Sequence, residues 1–215
     1  MLSLRTLLFA ALAAVTAASA ATVTFDCSRV PNICSNDCYA IRCLGKPTTL
    51  TRNSPQAEDN RDANACRSPN RCSGNPSDSN SCDEYPFAST SQGGAGASTR
   101  CVPSQENSRQ GGTLSSFYTR NSVANGDSYS VAFSNASGLQ YCSGSCTNSG
   151  NQLVRRLPAF AARQETSIVQ TRKLLLASGE EALMFEPVSA RGSLNRMVNQ
   201  TVDLREEAVR VVAVL

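Results

Sequence analysis

The sequence predicts an α+β domain, a small antiparallel sheet with short helices, tied together by disulfides. Three observations predict it. All ten cysteines fall before residue 150, apolar residues in that region are sparse, and short alternating runs interleave with short helical patterns. A domain of this size with a thin core needs crosslinks to offset its chain entropy, each worth about 2–4 kcal/mol.

The first twenty residues, MLSLRTLLFAALAAVTAASA, carry one early arginine, an apolar run too short to span a bilayer, and an Ala-Ser-Ala ending. This pattern predicts a secretory signal peptide over 1–20, a secreted protein, and no membrane segment in the mature form. An even cysteine count in an oxidising compartment then predicts five disulfides among Cys27, Cys34, Cys38, Cys43, Cys66, Cys72, Cys82, Cys101, Cys142 and Cys146. Zinc is disfavoured: the 34/38 and 142/146 pairs lack matching partners, and the chain has no histidine. The pairing itself cannot be deduced, except that Cys34 and Cys38, one helical turn apart, are badly placed to join each other.

Along the chain, TVTF at 22–25 alternates and predicts a short edge strand. Pro31 at a first helical position and Gly45 beyond the last bracket a helix that puts Ile33, Cys34, Cys38 and Ile41 on one face. Residues 53–81 are polar and turn-forming, anchored by Cys66 and Cys72. Thr113 caps a helix whose Leu114, Phe117 and Tyr118 form its buried face, and Asn125-Gly126-Asp127 turns the chain into a strand with alternating Tyr129, Val131 and Phe133. Composition shifts near 150. Residues 21–150 are therefore read as the domain, and 151–215, cysteine-free with helix-compatible runs, as a C-terminal extension, disordered or processed at Arg155-Arg156.

Charge excludes one class of function. Residues 21–150 hold ten Lys and Arg against ten Asp and Glu, so no bulk positive field grips a polyanion, and any such partner must meet a local cluster. The chemistry concentrates in SCDEYPFASTSQGGAGASTRC at 81–101. Asp83 and Glu84 sit between positions where cysteines pin the backbone, and hard cations such as Mg²⁺ or Mn²⁺ need well-placed oxygen ligands. On a strand the two acids face opposite sides, so one serves a site directly and the other is structural. VPSQENSRQGG at 102–112 adds the oxygen donors Glu106 and Asn107, presented by a turn of helix that Ser104 caps, with Arg109 close behind. A metal, a carboxylate base and an arginine make a phosphodiesterase site. The competing reading is a solvated acidic turn beside a glycine loop.

The strings CDEYPFASTSQGG at 82–94, GAGASTRCVPSQEN at 94–107 and RQGG at 109–112 resemble the signature of secreted deoxyribonucleases of the NucA/NucB family in a cysteine-rich fungal form. LTRN at 50–53 and Arg61 resemble a second, weaker block. The resemblance implies a metal-dependent endonuclease acting on DNA, with a core like that of His-Me finger nucleases in which aspartate replaces the histidine; a monomer is expected. It implies Asp83 as catalytic aspartate, Glu84 as its acidic neighbour, and Asn107 helped by Glu106 on the metal side. Arg61, Arg100, Arg109 and Gln92 are the expected substrate contacts, Gln92 standing where the family often has an acid. Asn135 and Asn199 head glycosylation sequons. A non-catalytic effector on the same scaffold and a structural surface protein are the alternatives.

Overall fold

The structure, a computed structural model, describes residues 20–154, 169–188, 193–204 and 207–215. The expected signal peptide, apart from its last residue, and Arg155-Arg156 lie outside the described residues. Strand β1 (Thr22–Asp26) leads into helix α1 (Pro31–Cys38), which continues as a wider turn over Tyr39–Cys43. Pro31 opens the helix as its position predicts, and Ile33, Cys34, Cys38 and Ile41 are all buried. Strand β2 (Thr49–Thr51) and helix α2 (Ala57–Ala63) follow. Sequence reasoning missed α2 because AEDNRDA buries no residue and so shows no apolar period.

Strands β3 (Ser81–Tyr85) and β4 (Ser98–Val102) form an antiparallel hairpin that puts Cys82 opposite Cys101 and Asp83 opposite Arg100. Its loop depends on Gly93, where an added Cβ would lie 2.4 Å from the Phe87 carbonyl oxygen. Helix α3 then runs unbroken from Ser104 to Arg120. The expected helix start at Thr113 is therefore corrected: the helix passes through Gly111-Gly112, and Thr113 lies inside it. Strand β5 (Ser128–Ser134) and a short helix α4 (Gln140–Ser143) complete the cysteine-bearing part, and β6 (Gln152–Val154) adds a third strand to the β3–β4 sheet.

The expected small antiparallel sheet is also corrected. Strands β7 (Val169–Leu176), β8 (Glu181–Pro187), β9 (Thr201–Leu204) and β10 (Glu207–Val214) join β1 and β5 in a closed six-stranded ring, ordered β1-β9-β10-β7-β8-β5 and back to β1. Strand β1 is thus no edge: it runs parallel to β5 on one side and to β9 on the other. Alternation divides the ring's two faces. Ala132, Leu174, Leu176, Ala182, Met184, Val202, Leu204 and Val211 form one cluster on the inner side. Val23, Phe25, Val131 and Phe133 face outward into the main core, where α1 and α3 contribute Ile33, Leu114 and Phe117. Phe185 of β8 belongs to that outer core too, its ring 6.1 Å from Phe133.

All ten cysteines are paired, as 27–34, 38–142, 43–146, 66–82 and 72–101. Five disulfides were expected, and Cys34 and Cys38 do bond elsewhere. Two bridges tie the α1 segment to the α4 region across about a hundred residues. Two more fasten the 64–80 loop to both strands of the β3–β4 hairpin.

Candidate active-site cleft

A cleft of about 580 Å³ opens between α3, the β3 strand and the α2 region. Strand alternation decides which acid it receives. Glu84 lines it, whereas Asp83 turns to the opposite face of β3 and is 1% exposed. The expectation that the pair splits between two faces holds. The carboxylate that reaches the cleft, however, is the one assigned as neighbour.

Asp83 packs under the cleft floor against α1. Asn36 donates from Nδ2 to its Oδ2 at 2.8 Å, and Ser98 fixes Asn36 by donating from Oγ to its side-chain oxygen, also at 2.8 Å. Beside it Asp37 buries both carboxylate oxygens without a hydrogen bond, as does Oδ1 of Asp83. Gln110 of α3 lies near enough to favour ionisation of both acids, yet its Nε2 makes no well-formed bond. Burial, then the charge of Glu84, pushes Asp83 up to about 8. Burial followed by the charges of Asp83 and Glu84 raises Asp37 well above the usual carboxylate range. The Glu84 carboxyl is also raised by burial, against the pull of Arg61, whose Nε lies 3.5 Å from its Oε1.

Asn107 reaches the same cleft from the first turns of α3. Its Nδ2 donates to Ser81 Oγ at 2.8 Å and to the Cys82 carbonyl at 2.9 Å, so the helix is pinned to β3 and the side-chain oxygen is left as the group available to a ligand. Glu106, one position earlier, points about 100° away around the helix and does different work. Its carboxylate accepts from the backbone N–H of Asn32 at 2.9 Å and of Ile33 at 3.3 Å, and from Asn32 Nδ2 at 2.8 Å. These are open N–H groups at the start of α1, which has no side-chain cap of its own. Glu106 thus caps another helix, where the helix dipole favours its charge.

The other expected contacts also separate. Arg61 lines the cleft. Arg100 donates to Asn32 Oδ1 at 2.9 Å and supports the same cap. Arg109 donates to the Arg29 carbonyl at 3.1 Å and borders a different hollow. Gln92 holds β2 by accepting from the Thr51 N–H at 2.9 Å. Of the expected site residues the structure brings Glu84, Asn107 and Arg61 together, and it places Asp83, Glu106, Arg100, Arg109 and Gln92 in the framework around them. Sequence reasoning did not single out Arg52, which also lines the cleft with its guanidinium 4.5 Å from the centre of the Tyr118 ring. Its only sequence signal is the LTRN block.

The donor chemistry suits a hard divalent cation. One carboxylate and one carboxamide oxygen at the cleft resemble the sparse protein contribution that Mg²⁺ accepts, the rest coming from water and phosphate. Among the described residues no group of three or more carboxylates, cysteines or histidines forms a metal cage. None of the described helices is long and apolar enough to cross a membrane. The sequon residues Asn135 and Asn199 are both exposed.

No curated protein matches the chain. The model of a family described as deoxyribonuclease NucA/NucB matches residues 37–132, a span holding every cleft residue named above. The domain built around this cleft is a member of the deoxyribonuclease NucA/NucB family.

Proposed function

We propose that the protein is a secreted, monomeric endonuclease that hydrolyses DNA phosphodiester bonds with little sequence preference, using Mg²⁺ or Mn²⁺. Family membership supports nuclease chemistry, and the five disulfides support export to an oxidising compartment. The observation that carries the reading is the convergence of Glu84, Asn107 and Arg61 in one cleft. In this reading the β3–β4 hairpin and α3, which carry Glu84 and Asn107 while α2 supplies Arg61, correspond to a His-Me-finger-like core without a histidine.

The Asn107 oxygen and the Glu84 carboxylate would hold the cation, which when bound supplies charge stabilisation to the phosphate. Glu84, raised above the ordinary carboxylate value by burial and paired to Arg61, takes the proton of the attacking water. Arg61 balances that carboxylate and meets negative charge on the phosphate. Asp83, bonded to Asn36, ties β3 to α1, and neither Asp83 nor Asp37, both shut beneath the floor, touches substrate. The sequence-based role of Asp83 as base passes to Glu84 in this reading. The test is plasmid digestion by correctly oxidised protein with Mg²⁺ or Mn²⁺ and with EDTA. Cleavage abolished by EDTA and by Asn107→Ala supports the reading, and wild-type activity in that variant overturns the site.

A further inference from the structure

Two features of the cleft remain unused by this account. Arg52 projects from the end of β2 and is held on three sides: its Nε donates to Ser54 Oγ at 3.1 Å, its Nη1 donates to the Val123 carbonyl, and its plane lies over Tyr118. Tyr118 is itself fixed by a 2.9 Å hydroxyl contact with Tyr129. Among the described residues Arg52 forms no ion pair, so an immobilised guanidinium faces the cleft without a counter-anion. Such a fork is preorganised for phosphate.

Leading up to Tyr118, the cleft face of α3 carries Ser104, Ser108, Gly111 and Ser115, spaced one turn apart. Gly111 stands in mid-helix at an exposed position, where glycine weakens a helix by about 1 kcal/mol relative to alanine. Nothing within the protein requires it: a Cβ there would meet no atom within 4 Å. Beside it Gln110, 6% exposed, lines the cleft and turns its amide toward Asp37 and Asp83. The aromatic rings at the cleft, Phe87 and Tyr118, are 4% and 8% exposed and offer no open platform for a base.

We infer that Arg52 anchors a phosphate flanking the cut bond and that the missing side chain of Gly111 admits the sugar–phosphate backbone against α3. The cleft then holds the backbone and reads no bases. This rests on the nuclease reading above and names the contacts through which it engages its substrate.

The experiment measures kcat, KM and the salt dependence of KM on a DNA duplex, with melting temperatures, for wild type, Arg52→Met, Arg52→Lys, Gly111→Ala and Gly111→Leu. Methionine keeps an apolar stem of similar length and removes the guanidinium fork that lies over Tyr118. It should raise KM about tenfold and lower the slope of log affinity against log salt by about one, with lysine restoring part of both. Both Gly111 variants should melt higher than wild type and have raised KM, leucine more than alanine, a combination that a purely structural glycine does not give. Unchanged KM in Arg52→Met and Gly111→Leu, with wild type cutting normally, overturns the inference alone. Wild-type protein that leaves DNA uncut overturns the nuclease reading and the inference together.

Discussion

The two halves of this chain are stabilised by different means. The part that carries the cleft holds all five disulfides, buries the carboxylates of Asp37, Asp83 and Glu106, and caps the start of α1 with the last of these. The C-terminal strands have no cysteine and rest on aliphatic burial and ladder bonds around the ring. Crosslinks let the first half tolerate buried polar groups that would otherwise make it marginal. The second half does without crosslinks: its inner cluster is apolar, and its buried acids are paired, Glu186 with Gln170 and Arg172 and Asp203 with Arg120 and Asn121. The comparison teaches that the site sits where the fold is least favourable by packing alone.

The largest effects should come from the cleft itself. Glu84→Gln should lower the DNA cleavage rate by about 10²–10⁴-fold, with a melting temperature close to wild type, since Glu84 is met by the half-exposed Arg61 and by a long 3.4 Å bond from the Ala88 N–H that a glutamine oxygen still accepts. A large fall in melting temperature would mean that Glu84 belongs to the framework. Next, removing the 38–142 bridge by a paired Cys→Ala change should cost about 4–5 kcal/mol from loop entropy, measured by denaturant unfolding. Leu174→Ala, in the crosslink-free half, should cost about 2–5 kcal/mol through its cavity. If reduction left stability unchanged, the contrast between the halves would fail.

A truncation after Val154 sharpens the same contrast. It strips β9 from β1 and β8 from β5 and removes Phe185 from the main core. The shortened chain should melt lower and self-associate through its open edges, as sedimentation would show. Full activity and monomeric behaviour would instead make 151–215 the dispensable extension that its composition suggested.

A smaller effect follows from the buried acids. In the folded chain Asp83 titrates near 8 against an ordinary 3.8, so it keeps a proton that the unfolded chain gives up. Stability is therefore greatest below about pH 4 as far as this group is concerned, and declines as pH climbs toward 8. Asp37 acts in the same direction. Asp37→Asn should raise the melting temperature at pH 8 in metal-free buffer and leave it nearly unchanged at pH 4. The opposite pattern would mean that the acid is ionised and paired. Smallest of all, Asp203→Ala should cost about 1 kcal/mol. It removes the contacts from Arg120 at 2.8 Å and Asn121 at 3.0 Å that fasten the end of α3 to β9.

Much of this was legible in the sequence, for physical reasons. The opposite facing of Asp83 and Glu84 follows from strand period alone, and the buried face of α1 follows from helical period. Which acid faces the cleft depends on where α1 packs, a tertiary fact. Glu106 and Asn107 differ by one step around a helix, and only the position of the α1 N-terminus shows that one caps and the other serves the cleft. The C-terminal strands were obscured by composition: RKLLLASGEEALMFE is rich in helix formers, yet Leu174 and Leu176, then Ala182 and Met184, alternate on either side of the Ser178-Gly179 turn. Ring closure overrides local propensity there.

The ring also orders events in time. Val23 finds its neighbour at Asp203, and β9 is in turn braced by β10, the last strand of the chain. A nascent polypeptide emerging amino end first must therefore wait for β9 before β1 is flanked on both sides. The oxidative links from Cys38 to Cys142 and from Cys43 to Cys146 need nothing beyond residue 146. Bridging can precede barrel closure, so the clasp is fastened on a body whose crosslinks are already set.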